Sequence, residues 1–438
     1  MNVCIEAINL IINNYFMISC GMFRMIGILL FSMFCAYTQA QHDSIRRQLL
    51  EFTIDSIVNN AMDSSAFPGA QVLIQKNGEV VLEKAYGHHT YDRIKPVELN
   101  HIYDLASVTK VVSGLPVLMK LYGAGLIDLD KPVSNYVSAL KKTNKESLSL
   151  REILAHQGGL IPYIVFWEQT LKKNGSFKRK TFKTKSSKRF PIRVAPGLYQ
   201  HKKYESKMKK EVYKSEVIVD QGYRYSGLFF LLMPQMIQDM INQEFESYLY
   251  RKIFKPAGAE TLIYNPWNKI ELERIVPTEY DSVFRKQLIH GCVHDEAAAM
   301  LGGVSCNAGL FGSARDLANI FQMYLDEGKK GDQQILPSEA VNEFTRCQYC
   351  DEDNRRGLGF DKPPIDYVEG ESYVAKSASA SSFGHSGFTG TFVWADPEHD
   401  LLIVFLSNRV YPSRTNRKLY SMSIRPKIHQ AAYDLLSR

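Results

Sequence analysis

An alcohol three residues before an amine is the pairing in this chain best suited to chemistry: Ser107-Val108-Thr109-Lys110. Residues three apart on a helix are neighbours, and a serine becomes a useful nucleophile only when a positioned base takes its proton. As a bare pattern Ser-x-x-Lys is weak, and it recurs at Ser138–Lys141 and Ser206–Lys209. Context separates the first copy. It follows the strand-like run His101–Ala106 and opens the apolar run Val111–Met119, whereas the others lie in lysine-rich, solvated surroundings. Two more segments carry groups that could assist. Tyr223-Arg224-Tyr225-Ser226-Gly227 puts a phenol at the start of an apolar helical stretch, and His385-Ser386-Gly387-Phe388-Thr389-Gly390-Thr391 leads into a strand-like run. Alone, Tyr225 reads as a core aromatic and His385 as a loop residue among turn glycines. In this order and architecture the three segments could meet in one site at the domain junction.

The elements that must position these segments come from both ends of the chain. Gln71–Gln75 and Glu79–Glu83 flank Lys76-Asn77-Gly78, a strong hairpin signal. Thr391–Ala395 and Leu401–Leu406 flank Asp396–Asp400, a second hairpin. Helical periodicity runs from Ser44 to Met62, from Ala314 to Glu327 and from Lys427 to Leu436. Val108–Tyr122 predicts a helix kinked by Pro116 and capped by Gly123. Leu150–Ala155 and Tyr225–Glu244 predict two more. The expected fold is α/β (α+β): an antiparallel sheet formed by both chain ends and flanked by helices, with an inserted, mainly helical domain. We place the sheet subdomain at about 41–100 and 285–438, and the helical subdomain at about 101–284.

The 438 residues exceed a typical single domain, and 45% apolar with 23% charged residues is ordinary for a globular protein. The net charge of +7 hides an asymmetry. Leu171–Lys214 holds 16 Lys and Arg against Glu205 and Glu211, a local +14 that leaves the remainder at −7. Poor in apolar anchors, this block reads as a mobile excursion. It lacks the interleaved aromatics of a nucleic-acid reader, so no nucleic acid is expected; a solvated face, or contact with an anionic envelope surface, is.

Residues 1–40 read as a leader: Met22-Phe23-Arg24-Met25, an apolar core Ile26–Tyr37, and Thr38-Gln39-Ala40 before a cleavage point at Gln41. Export to the periplasm or beyond is expected, with lipid attachment at Cys20 as the lesser alternative. Beyond the leader, Cys292, Cys306, Cys347 and Cys350 remain. Three pairings are open, and Cys347-x-x-Cys350 has no partner pair at metal-site spacing.

The three segments resemble those of the serine β-lactamase and penicillin-binding-protein-like hydrolases, most closely the class C β-lactamase, esterase and D-aminopeptidase branch. The resemblance runs from about Pro68 to Asn408. It also includes Leu154-Ala155-His156-Gln157-Gly158-Gly159-Leu160, and Gly302-Gly303-Val304 through Ala308-Gly309-Leu310-Phe311-Gly312-Ser313. It implies that Ser107 attacks an acyl carbonyl of an ester, amide or D-amino-acid peptide and is acylated. Lys110, as a neutral amine, takes the proton, and Tyr225 relays it. Backbone N–H groups of Ser107 and Phe388 form the oxyanion hole, Gly387 lets the backbone approach the substrate, Ser386 joins them in binding it, and His385 is a further catalytic residue. It implies neither metal nor cofactor.

Two departures stand out. The family's Tyr-x-Asn reads Tyr225-Ser226-Gly227, and its Lys-Thr-Gly reads His385-Ser386-Gly387. The second replaces a permanent cation by a group expected to titrate at about pH 6.5. Efficient β-lactamase activity is therefore not expected, and a catalytically silent module binding envelope ligands is the alternative to a hydrolase. His294-Asp295-Glu296 is expected to serve as a structural hydrogen-bonding cluster, and His156 to pin its loop.

Overall fold

The computed structural model describes residues 41–218 and 222–436. The leader and Cys20 lie outside them. Two compact units divide the chain, Met1–Thr53 and Ile54–Arg438. Residues 41–63 form one helix, α1.

Five strands make the main sheet: β1 (Gly69–Lys76), β2 (Glu79–Gly87), β3 (Phe383–Ser386), β4 (Phe392–Asp396) and β5 (Leu401–Ser407). Their order is β3-β4-β5-β1-β2, every pairing antiparallel. Sequence ends thus meet at the sheet centre, where Leu73 faces Val404. The β1–β2 turn is Asn77-Gly78 with φ of 54° and 73°, the two left-handed residues that a tight hairpin requires. β5 is buried at every position. Helices α5 (Ala314–Leu325) and α6 (Ile424–Leu436) both pack on it. A strand covered on both faces reads as an unbroken apolar run, which explains Leu401–Leu406.

The rest of the core gathers around α2 (Leu115–Gly123) and α4 (Leu228–Ile241). The expected kink at Pro116 takes another form. Lys110–Gly114 is a π-helical turn, and Pro116 sits in the first turn of α2, where its missing N–H costs nothing. Gly123 is not the cap. Gly125 takes the left-handed conformation, at φ 68°, whereas a Cβ on Gly123 would lie 2.3 Å from the Pro337 ring. Gly123 is glycine for close packing.

The basic block is not an excursion. It folds as three short strands, Phe182–Lys183, Ile192–Ala195 and Leu198–Gln200, followed by α3 (Lys203–Lys214). A handful of its apolar residues are buried. Phe182, Val194, Leu198, Met208 and Val212 join a second core with Leu228, Leu231 and Phe284. Met208 and Val212 are one helical turn apart, Ala195 is buried beside them in the same core, and Phe177, Ile192, Tyr204 and Tyr213 pack against it, which leaves the lysines toward solvent.

Cys347 and Cys350 form a disulfide, while Cys292 and Cys306 are buried free thiols.

Three imidazoles, of His156, His385 and His429, are fully enclosed, and burial above all pushes each down, to about 3 for His385 and His429. An unfolded histidine takes up a proton below about pH 6.5 and these do not, so folding stability is full above that pH and falls as acid is added. Well below pH 6.5 the slope approaches about 1.4 kcal/mol per pH unit for each imidazole, ~4 kcal/mol for these three, and His89, which burial also holds at about 3, adds to it. Urea unfolding between pH 7.5 and 5 measures it; a flat stability over that range contradicts the burial.

Candidate active site

Ser107 is presented by a strained turn. Tyr103–Asp104 pairs with Leu310–Gly312, and the chain then turns through Ala106 at φ 47°. A side-chain-bearing residue enters this region only when its surroundings hold it there. Here Asp104 Oδ1 accepts the Ala106 N–H at 2.9 Å and Asp104 Oδ2 the His294 N–H at 2.6 Å. From the other side Thr389 Oγ1 donates to Asp104 O at 2.8 Å and Thr391 Oγ1 to Leu105 O at 3.0 Å. The Ser107 turn and the β3–β4 turn are therefore stitched together. Gly387 makes this approach sterically feasible: a Cβ there would lie 2.1 Å from Thr391 Oγ1 and 2.6 Å from Leu105 O. The expected backbone approach is thus made toward the protein's own Ser107 turn.

The alcohol, amine and phenol meet. Lys110 Nζ donates to Ser107 Oγ at 3.0 Å and to Asn307 O at 2.9 Å, and Tyr225 OH donates to Ser107 Oγ at 3.1 Å. Lys110 is buried, its Nζ 5.2 Å from the Tyr225 ring centroid and 5.4 Å from that of Phe230. Ser138 and Ser206, of the other two Ser-x-x-Lys copies, are exposed, and Lys209 pairs with Glu205 at 2.7 Å.

Tyr225 is set by the loop through His156. That imidazole lies 4.6 Å from the Tyr225 ring, its Nδ1 accepts the Ser226 N–H at 3.2 Å, and Ser226 Oγ donates to Ile161 O at 2.7 Å. His156 does pin its loop, and through it the phenol. Burial alone would raise the Tyr225 phenol. The Lys110 ammonium, hydrogen bonds with Lys110 and Ser107 and the Arg356 guanidinium outweigh it, and the phenol lies below its ordinary value. At Gly227 a Cβ would meet only Asn307 Cβ, at 3.8 Å, so no crowding excludes the missing Asn side chain.

His385 differs most from expectation. It is buried, Nδ1 lies 2.7 Å from Ser386 O and Nε2 lies 3.2 Å from Arg356 Nη2. Both nitrogens are engaged by the protein. Burial first, then the Arg356 and Lys110 cations, hold it at about 3. The expected titration near pH 6.5 is therefore corrected: at neutral pH His385 carries no charge. Ser386 is half-buried, with its carbonyl taken by His385. Phe388 is exposed, and the peptide before it is anchored by Arg425 Nη2 donating to Gly387 O at 2.9 Å. In a trans peptide the N–H points opposite the carbonyl, so this anchor fixes the direction of the Phe388 N–H.

His294-Asp295-Glu296 plays the structural part expected. His294 Nε2 bonds Glu279 Oε2 at 2.7 Å, Asp295 Oδ1 caps a helix by accepting the Ala298 N–H at 2.8 Å, and Glu296 pairs with Arg414 at 2.8 Å. Sequence reasoning missed two residues. Asn307 sits inside a segment already singled out but acts through its main chain. Arg356 lies in Arg355-Arg356-Gly357-Leu358-Gly359-Phe360, where the glycine bracketing was the available signal.

Comparisons with known proteins place the chain in a family. The profile of the Beta-lactamase family matches residues 54–423. A protein of Salmonella enteritidis named "Putative D-alanyl-D-alanine carboxypeptidase" is 28% identical over 395 residues, 84% of each chain. Among solved structures, EstCE1, described as a hydrolase with promiscuous acyltransferase activity, superposes with a TM-score of 0.63 at 15% identity. It covers 88% of this chain and 100% of its own. The octameric penicillin-binding protein homologue from Pyrococcus abyssi gives 0.59 at 20% identity, over 84% of this chain and 75% of that one. With the family profile spanning most of its length, this chain belongs to the β-lactamase family and is a serine hydrolase.

Proposed function

We propose that the hydrolase works through an acyl-enzyme on Ser107, with Lys110 and Tyr225 as its proton carriers, on small esters, amides and D-amino-acid peptides. The observation that carries this reading is the hydrogen-bonded trio, with Lys110 Nζ 3.0 Å and Tyr225 OH 3.1 Å from Ser107 Oγ. Ser107 Oγ attacks the acyl carbon while its proton passes to the Lys110–Tyr225 pair, which must hold one proton fewer than ammonium plus phenol: neutral amine with phenol, or equivalently ammonium with phenolate. Tyr225 delivers that proton to the departing alcohol or amine as the acyl–heteroatom bond breaks. Water then enters, gives its proton to the same pair, attacks the ester on Ser107 and releases the acid as Ser107 recovers its proton. The N–H groups of Ser107 and Phe388 receive the charge on the carbonyl oxygen; one such donor is typically worth about a hundred- to a thousandfold in rate.

The Salmonella relative's name favours peptides ending in D-alanine. The neutral His385 gives the β3 edge no cation to meet a terminal carboxylate. We therefore rank uncharged acyl substrates above carboxylate-ended ones. Steady-state rates on a short-chain aryl ester, a D-alanyl amide, a D-alanyl-D-alanine peptide and a chromogenic cephalosporin test the ranking. The ester and amide are expected to lead, with a KM for the acidic peptide that does not change between pH 5.5 and 7.5. A KM rising through that range, and flat in His385→Asn, would restore His385 as a cationic contact.

A further inference from the structure

The buried Arg356 is a second cation in the site besides Lys110, and it arrives from a loop outside the three segments that carry the reaction. Its Nη1 lies 3.1 Å from Asp361 Oδ1, and its Nη2 reaches Gly359 O and His385 Nε2, each at 3.2 Å. Its Cζ stands 5.6 Å from the Tyr225 ring centroid. Asp361 is buried and also binds Arg355 Nε at 2.9 Å and the Tyr373 hydroxyl. The guanidinium is thus fixed before any substrate arrives. An arginine offers only N–H donors, so His385 Nε2 can only accept from it, and the proton must sit on Nδ1, facing Ser386 O. A cation over an aromatic face is attracted to the ring, and more strongly to a phenolate.

Resting on the Ser107 reading above, we propose that Arg356 is an electrostatic positioning residue, which locks His385 as the neutral Nδ1–H tautomer and favours the phenolate of Tyr225. It supplies from a separate loop the positive charge that His385-Ser386-Gly387 lacks. The groups facing Tyr225 are Ser107 and Lys110 from the Ser107 turn, His156 with Tyr223 standing against it, His385 from β3, and Arg356 with Asp361 behind it. Of these, Lys110 and Arg356 bring positive charge. Asp361 opposes them from behind the guanidinium, and the imidazoles of His156 and His385 remain neutral as the pH falls.

The test is the pH dependence of kcat/KM on a neutral aryl ester from pH 5 to 10. It compares wild type, Arg356→Lys, and Arg356→Gln paired with Asp361→Asn, which removes both buried charges together. The acid limb of the paired variant is expected to move up by about one pH unit, roughly a tenfold loss below it. Arg356→Lys is expected to stay near the wild-type limb. A loss uniform over pH, with the limb unmoved, would make Arg356 mere packing and overturn the proposal. A wild type without Ser107-dependent turnover would instead overturn the reading on which it rests. A second measurement needs no unfolding-prone variant. In 15N-histidine-labelled wild type, with His385→Asn for assignment, His385 is expected as the Nδ1–H tautomer from pH 5 to 8; the Nε2–H or imidazolium form would contradict the lock.

Discussion

Tyr225→Phe is expected to fold normally and to lose two to four orders of magnitude in kcat/KM on a small ester. The change removes one oxygen. The ring keeps its packing against His156 at 4.6 Å and beneath Lys110 Nζ at 5.2 Å, so the pocket's shape survives. What disappears is the hydroxyl 3.1 Å from Ser107 Oγ, the group able to carry a proton between serine, leaving group and water. Positioned proton transfer typically contributes about 10²–10⁴ in rate. The hydroxyl's own stabilising hydrogen bond is worth only about 1 kcal/mol, so the thermal midpoint should shift little. A loss in rate smaller than tenfold would remove Tyr225 from the proton path.

Lys110→Met is expected to lose at least as much. Methionine fills most of the lysine stem's volume beside Phe230, which keeps a cavity from forming. The change leaves Asn307 O without its 2.9 Å donor and Ser107 Oγ without its 3.0 Å neighbour. An unpartnered buried carbonyl costs about 1–3 kcal/mol, so some destabilisation accompanies the loss of rate. Acylation in a single turnover separates the two effects. Folded Lys110→Met that acylates at the wild-type rate would show that the amine serves packing alone.

Much of the site was legible because its parts are local. Ser107 and Lys110 sit one helical turn apart, Tyr225 lies just ahead of the long apolar helix α4, which begins at Leu228 and not at Tyr225 as expected, and Gly387 begins the turn into β4, all visible as spacing. The β1–β2 hairpin was equally plain, since Asn77-Gly78 has few other uses between two apolar runs. Tertiary facts were not legible. Nothing near His385 in sequence announces that burial and a guanidinium 29 residues upstream hold it neutral. Arg355-Arg356 reads as surface charge until the fold buries one of the pair against Asp361. The basic block misled for a related reason. Sixteen cationic residues dominate its composition, while the side chains that anchor it are scattered from Phe182 to Val212 and gain meaning only against Leu228, Leu231 and Phe284.

The most direct test is the intact mass of the protein after exposure to an alkyl fluorophosphonate. Wild type is expected to gain one phosphonyl group, located on the peptide containing Ser107, and Ser107→Ala none. Labelling that persists in Ser107→Ala, or a folded wild type that takes up no label, would contradict an acyl-enzyme at Ser107.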